Sequence, residues 1–354
     1  MQAEKKDIKS MLPDETAAWL ADNGEAAYRA GQIFRWLSKG AESFDEMTDM
    51  NAALRAKLDR SFYISVPQTA RRQVSRLDGT VKYLWRLRDG NAVESVVMSY
   101  GYGNTVCISS QAGCRMGCVF CASTGAGYIR DLEPSEMLDQ VLFSEKDSKK
   151  PISNIVMMGI GEPLDNFDNV MRFLEIINHP GGRNMSMRHI SISTCGLVDG
   201  IDRLAEKNLQ LTLSISLHAP DDETRGKLMP AAARYTVAEL IGACGRYFDK
   251  TGRRISFEYA LIKDINDSDE QAKLLSSLMK RVHGHVNIIP LNKVEGSPLI
   301  PGDTAAFAAR LSRLGVNATV RRRLGADIDA ACGQLRRKGV SELCGTGKKA
   351  TGAR

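Results

Sequence analysis

Three cysteines stand close together in the stretch Cys114-Arg-Met-Gly-Cys118-Val-Phe-Cys121. Thiolates are the usual ligands of iron–sulfur clusters, which normally take four of them. This compact C-x3-C-x2-C run supplies three. One iron would then be open to a substrate, by the logic that leaves catalytic zinc an open position. The amine and carboxylate of an amino acid could chelate that iron. With eight cysteines in 354 residues, such a spacing arises by chance in roughly 0.4% of chains, which disfavours three unrelated thiols. A structural zinc site would want a fourth Cys or His at conventional spacing, and no paired C-x2-C or H-x3-H follows.

The elements that must position these thiols can be read from periodicity. Residues 1–60 read as a small helical domain, because ETAAWLADN, AAYRAGQIFRWLSKG and AALRAKLDRSF carry apolar residues at three- and four-residue spacing. Pro13-Asp14 suits the start of the first helix. Residues 61–103 form a short β extension, with two strands, VKYLWRLRDG and AVESVVMSYG, joined through Asp89-Gly90. From residue 104 to 340 short apolar runs alternate with helical patterns. The runs are VCISS, NIVMMG, HISIST, LTLSISL, ISFEYALI, HVNIIPL and NATVRR. Strands alternating with helices predict parallel βα units with both faces covered. The expected fold is α/β, an incomplete or open βα barrel. The Gly- and Lys-rich end, 341–354, reads as a flexible basic tail.

Composition narrows the function classes. Apolar residues make up 43% of the chain, enough for a sizeable soluble core. No apolar run reaches the 18 or so residues that cross a bilayer. The start, MQAEKKDIKSML, has charge without a following apolar run, so no secretory signal is read. The expected setting is the cytoplasm, where clustered cysteines mean a metal or a reactive thiol, not a disulfide scaffold. The net charge is +6, and residues 321–354 alone hold nine Lys or Arg against three Asp or Glu. A second basic stretch runs from Arg71 to Arg88. Such patches attract phosphate backbones, although a solvated tail would read the same way.

Other segments carry candidate ligand contacts. Gly159-Ile-Gly161-Glu162-Pro163 follows a strand, and its glycines would let backbone approach a ligand. The Glu162 carboxylate could accept hydrogen bonds from an ammonium group. Ser193, then Ser216, Leu217 and His218, then Asn292 all fall at carboxyl ends of strands, where barrel sites gather. Cys332 sits in Ala330-Ala331-Cys332-Gly333, whose small neighbours leave room for a bulky group.

These motifs, in order, resemble those of the radical S-adenosylmethionine (SAM) adenine methyltransferases of the RlmN type. The resemblance runs from about residue 25 to 340. It rests on the cysteine triplet with CISSQAGC at 107–114, MGIGEPLDN at 158–166, SISTCG at 191–196, SLHAP at 216–220, KLMP at 227–230 and GADIDAACGQL at 325–335. It implies a radical SAM partial barrel, with a [4Fe–4S] cluster on Cys114, Cys118 and Cys121. Two SAM molecules would be consumed per turnover, and SAM would be held by Gly161, Glu162, Ser193, Ser216, Leu217, His218 and Asn292. Cys332 matches the cysteine that becomes methylated. Cys107 matches its resolving partner, which pairs with it in a transient disulfide. Glu94 matches a proton acceptor. The implied substrates are 23S rRNA and tRNA, gripped in part by the N-terminal domain. An external flavodoxin- or ferredoxin-like protein would donate electrons, and a monomer is expected. Cys195, Cys244 and Cys344 receive no role.

The implied activity is methylation of carbon 2 of adenine, an electron-poor carbon with no lone pair to attack a sulfonium. A thiolate can take the methyl directly. In the implied order Cys332 is methylated first, a 5′-deoxyadenosyl radical then removes hydrogen from that methyl, and the carbon radical adds to the base. Cys107 finally attacks the thioether sulfur. The antibiotic-resistance branch of the family, which methylates carbon 8, shares these cysteines; Pro163 of GEPL favours the carbon-2 branch. An iron–sulfur electron carrier would want a fourth cysteine ligand, and an inactive RNA-binding protein would have little use for every motif cysteine. The scheme makes an asymmetric prediction. Cys107→Ala should accumulate a covalent RNA–protein adduct on denaturing gels, and Cys332→Ala should not. Full methylation with free RNA from either variant would overturn it.

Overall fold

A computed structural model describes residues 5–282, 284–292 and 297–334. The basic tail 341–354 and the end of the 104–340 segment lie outside the described residues. The chain opens with three helices, α1 (Pro13–Asp22), α2 (Arg29–Ser38) and α3 (Ala52–Ser61). Pro13 fills the first position of α1, where a missing N–H costs nothing. The Leu12 N–H donates to the Glu15 carboxylate at 2.7 Å. Asn51 caps α3 by accepting from the Leu54 N–H at 2.8 Å. Ile8, Leu20, Ile33, Leu37, Leu54 and Leu58 are buried together in a core of their own. The three- and four-residue spacing read from sequence is therefore the inner face of this module.

The main body is one ten-stranded sheet. Its strands are β1 (Gln68–Val74), β2 (Val81–Arg86), β3 (Ala92–Tyr100), β4 (Gly103–Cys107), β5 (Ile152–Met157), β6 (Ile190–Thr194), β7 (Thr212–Ser216), β8 (Ile255–Leu261), β9 (Gly284–Pro290) and β10 (Ala318–Val320). They lie side by side in chain order from β1 to β10. The first four pair antiparallel, and every pair from β4 onward is parallel. Between the parallel strands come α4 (Pro134–Ser148), α5 (Phe167–Asn178), α6 (Val198–Glu206), α7 (Asp222–Leu228), α8 (Val237–Thr251), α9 (Asp269–Met279) and α10 (Thr304–Arg313).

The strand order explains the shape. Crossovers between parallel strands are right-handed, and this order never reverses. All the helices therefore pack on one face, and the other face becomes a lumen. A doubly wound sheet would reverse its order at a switch point. Among the described residues β1 and β10 do not pair, so the sheet stays open as a partial barrel. The 61–103 extension is continuous with this sheet, since β3 pairs with β4. Sequence reading took Arg71 and Arg72 only as part of a basic stretch, yet they lie in β1. This is an edge strand whose residues are mostly exposed, so it carries no apolar alternation; its charges discourage further pairing.

One buried ion pair joins the helical module to the barrel. The Lys9 ammonium donates to Asp139 of α4 and to the Ser65 carbonyl. The Ser65 hydroxyl donates to the other Asp139 oxygen at 2.6 Å. Burial pushes the Asp139 carboxyl up to about 6, with Lys9 and Ser65 offsetting part of the rise. A carboxyl raised by folding binds its proton more tightly in the folded state. Its own contribution to stability is present below the ordinary carboxylate range and is lost as pH rises through about 6. Removing one partner strands the other charge. Asp139→Ala should cost about 3–5 kcal/mol in urea unfolding, and the double change Lys9→Met with Asp139→Leu should cost clearly less. Equal costs would show that the pair's charge is irrelevant.

Candidate active site

Beyond β4 the chain makes a small hairpin, Gln111–Gly113 against Tyr128–Asp131, and the three clustered cysteines lie in the loop between. Gly113 has φ +85, and a Cβ there would meet the Gly127 carbonyl oxygen at 1.8 Å. Only glycine fits that closure. Backbone from elsewhere pins the loop. Val119 N–H donates to Leu228 O at 3.0 Å, Ala231 N–H to Met116 O at 3.2 Å, and Ala122 N–H to Gly333 O at 2.8 Å. The KLMP segment thus serves as a backstop for the thiol loop.

Cys114, Cys118 and Cys121 face one cleft enclosing about 950 Å³, part of it open to solvent. Burial pushes the Cys114 thiol up to about 11 and raises Cys118 further, where Cys121 and Cys114 add to the effect. Such thiols stay protonated unless a positive centre binds them. Among the described residues no group of three His, Cys, Asp or Glu is gathered to hold a single metal ion. A cluster asks for something else, one thiolate on each of three irons. Three thiols around one cleft, facing a space large enough for a further ligand, fit a cluster with an open iron.

The same cleft collects most of the predicted SAM contacts. Gly161, Glu162, Ser193, Ser216, His218 and Asn292 line it, as does Cys332. Glu162 is fully buried, and its carboxylate accepts the Cys195 N–H at 2.7 Å and the Leu164 N–H at 3.0 Å. The Thr194 and Cys195 side chains also hydrogen-bond to this carboxylate. The Glu162 N–H donates to the Gln111 side chain at 2.9 Å. His218 accepts the Ala260 N–H on Nδ1 at 2.9 Å, and burial lowers it to about 3. It is therefore neutral and carries its proton on Nε2. Leu217 is not brought to the cleft. Its side chain is fully buried in the core, and its N–H donates to Glu258 O at 3.1 Å.

Cys332 stands at the junction of two cavities. It lines the cleft just described, and with Cys107 it also lines an adjoining cavity. Both thiols are free. Burial pushes Cys107 up to about 12; Cys332 adds to the rise and Arg321 opposes it. The Cys332 carbonyl accepts from the Asn292 side chain at 3.0 Å. A clasp from the β1–β2 turn holds the preceding residues. Ser75 and the Arg76 N–H donate to Asp327 at 2.6 and 2.9 Å, and the Gly325 N–H donates to Asp78 at 2.9 Å. Lys82 donates to the Asp329 carbonyl at 3.0 Å and pairs with Glu94 at 3.0 Å. Glu94 shares a strand face with Val96 and Met98, which line the Cys107 cavity, but it does not line that cavity itself.

Three residues that sequence reading passed over face the same space. Arg321 lines both cavities, and its guanidinium is held more firmly protonated, first by Cys332 and then by Glu258. Glu258 lies 3.5 Å from Arg321, almost wholly buried, and lines the cleft. A glutamate inside the apolar strand ISFEYALI was the available signal, because such burial demands a partner. Arg321 stands in the run NATVRR and in the basic 321–354 stretch, where charge alone does not mark it as a site residue. Cys195 also lines the cleft, with its thiol 3.4 Å from the Met116 sulfur. Cys244 is core, and Cys344 lies outside the described residues.

A model of the Radical SAM superfamily matches residues 108–275, and one of the ribosomal RNA large subunit methyltransferase N-terminal domain matches residues 7–64. A probable dual-specificity RNA methyltransferase RlmN from Lachnospira eligens is 49% identical over 95% of this chain and 97% of its own length. A protein of the same name from Desulforamulus reducens is 49% identical over 94% of this chain and 97% of its own. The crystal structure of a radical SAM methyltransferase from Sphaerobacter thermophilus, 40% identical, superposes with a TM-score of 0.90 over 94% of this chain and 100% of that one.

Gly161 offers a direct test of the cleft. Its φ is +108, and a Cβ would lie 2.6 Å from the Cβ of Gln111, the residue that holds Glu162. Gly161→Ala should weaken SAM binding to the reconstituted protein by about tenfold or more, roughly 1.4 kcal/mol, in equilibrium dialysis. Unchanged affinity would remove this turn from the SAM site.

Proposed function

The chain belongs to the RlmN family of radical SAM RNA methyltransferases, and from that premise we propose that it methylates carbon 2 of adenosine in 23S rRNA, in the peptidyl-transferase region, and in tRNA at the position 37 beside the anticodon. The observation that carries this reading is the placement of Cys332, which faces the three-thiol cleft on one side and Cys107 on the other. A radical SAM enzyme of this family uses a [4Fe–4S] cluster and SAM. Cys114, Cys118 and Cys121 would hold the cluster, and the Glu162 turn with the strand-end residues would hold SAM. When bound and reduced, the cluster supplies the electron that cleaves SAM to a 5′-deoxyadenosyl radical.

The chain's own groups divide the remaining work. Cys332 Sγ takes a methyl group as a nucleophile, and Arg321 lines both of the cavities that Cys332 lines. Cys107 is held as a neutral thiol by burial, which keeps it from competing for that methyl. Once the methylene carbon has bonded to the base and the adduct has lost one electron and the carbon-2 proton, Cys107 sulfur attacks Cys332 sulfur. The bond from that sulfur to the methylene carbon breaks, its electron pair goes to the carbon, which takes up a proton, and the methylated base leaves. The pair that leaves on the methylene carbon is the reducing equivalent lost by the two sulfurs, which end as a disulfide, so an external reductant must reset them. Glu94 would accept the proton lost from the base carbon. For that, its ion pair with Lys82 must rearrange, and that pair also bears on the Asp329 carbonyl ahead of Cys332.

The finer assignments belong to the same proposal. The helical module, residues 1–60, grips RNA; residues 104–340 carry the chemistry. A flavodoxin- or ferredoxin-like protein donates electrons to a monomeric enzyme in the cytoplasm. No helix among the described residues is long and apolar enough to cross a membrane. The decisive experiment is anaerobic reconstitution with iron and sulfide, followed by SAM, reductant and RNA. Mass analysis of the digested RNA should find a methyl on adenine carbon 2. A methyl on carbon 8 would move the protein to the resistance branch, and no methyl with intact cluster and SAM binding would overturn the reading.

A further inference from the structure

The lumen of the open barrel does not end at the cleft. Past Met158, Glu258 and Arg321, which line both spaces, it widens into a second cavity enclosing about 940 Å³ and open to solvent. Ser191, Thr212, Ser214 and Ser256 on neighbouring strands make one side of its wall, and Met98, Val156 and Met158 line it as well. A barrel interior filled for stability would present bulky branched residues here. Short hydroxyl side chains leave space and offer hydrogen bonds.

The rim of this cavity has both an aromatic face and positive charge. Tyr100 and Tyr102 stack with ring centroids 5.0 Å apart and planes 7° from parallel. Tyr102 is 73% exposed, so the stack presents an aromatic surface to solvent. Arg188 and Arg322 line the same cavity, both exposed. Neither meets a carboxylate among the described residues. The carboxylate in the lining, Glu258, is already opposed by Arg321. A planar, anionic ligand with hydrogen-bonding edges suits these walls, and an apolar one does not. Tyr100 also lines the Cys107–Cys332 cavity, so whatever stacks at this rim lies next to the reacting cysteines.

We propose that this lower lumen receives the RNA nucleotide adjacent to the target adenosine, its base stacked on Tyr102 and its phosphate facing Arg188 and Arg322. Proteins that read single-stranded RNA splay bases onto aromatic rings and track the backbone with cations. Chemistry on a base requires its extrusion from the stack, and extrusion leaves the neighbouring base without its partner. Tyr102 replaces that partner. The assignment rests on the proposed RNA methylation and adds a residue-level contact to it.

The test uses the reconstituted holoenzyme under anaerobic conditions and an anticodon stem-loop RNA carrying 2-aminopurine in place of either neighbour of the target adenosine. Binding of the wild-type protein should quench one of the two labels. Tyr102→Ala should weaken binding about tenfold and abolish that quenching, within the range of base–aromatic stacking. Tyr102→Trp, which keeps a ring, should retain both. Arg188→Ala and Arg322→Ala should each reduce the salt dependence of binding by about one phosphate contact. If unlabelled RNA is methylated while Tyr102→Ala binds and quenches like wild type, the lower-lumen assignment falls and the methyltransferase reading stands. Equal losses in the Ala and Trp variants would also overturn stacking. If the wild type methylates no RNA at all, both readings fall together.

Discussion

A single backbone hydrogen bond, from the Ala122 N–H to the Gly333 carbonyl at 2.8 Å, ties together the two parts of the sequence that the proposed reaction brings to one carbon. Ala122 follows the last thiol of the cysteine triplet, and Gly333 follows Cys332. Everything around this bond keeps the two segments in register. Gly333 adopts φ +80, and a Cβ there would lie 3.2 Å from the Phe120 carbonyl oxygen. The close approach therefore depends on glycine. Asn292 holds the Cys332 carbonyl from the β9 side, and the β1–β2 turn holds Asp327 from the other. The antiparallel extension thus does more than lengthen the sheet: it brings a turn to the loop that carries the reactive cysteine.

The electrostatics of the site separate thiols by task. Burial raises Cys107, Cys114, Cys118 and Cys195 alike. A protein that needed four free thiolates would not bury them so. In the proposed scheme the cluster ligands would gain their charge by binding metal, and Cys107 would be needed only after the base is attached. Arg321 lines both cavities with Cys332, the thiol proposed to act first as a nucleophile. Glu258 then serves to keep Arg321 in place, since a buried guanidinium without an anion would be costly. Arg225 shows the same pressure behind the site. It is fully buried, and its guanidinium donates to the Cys195 and Ala232 carbonyls, at 2.5 and 2.9 Å.

Much of this was legible in the sequence because it is written in period and spacing. The parallel strands were visible as apolar runs between helical patterns, and β2 and β3 as runs flanking Asp89-Gly90. The cysteine triplet and the strand-end residues announced the cleft. What stayed hidden was long-range. Nothing local to Arg321 distinguishes an inward guanidinium from the exposed ones at 322 and 323. The partner of Glu258 is set by the register of β8, β9 and β10. Strand β1 was invisible because an edge strand in water needs no apolar face. The anchoring of Cys332 by Ser75 and Asp78 joins residues some 250 apart in sequence, and no periodicity reports such a contact.

The open barrel follows from the same demands. A closed barrel has a packed interior, with no passage for a base attached to a polymer. Among the described residues β1 and β10 do not pair with each other, which provides that passage and leaves two sheet edges. The β1 edge is protected by Arg71 and Arg72, and Arg72 is itself held by Asp147 at 2.7 Å. At the other edge, short β10 runs on into the segment that carries Cys332, the residue proposed to carry the methyl. Polar walls in the lumen are affordable only because the core lies elsewhere, between the sheet and its outer helices. The fold therefore separates two jobs that a closed barrel combines: the helical face stabilises the protein, and the lumen is left for the thiols and for the nucleotide proposed to meet them.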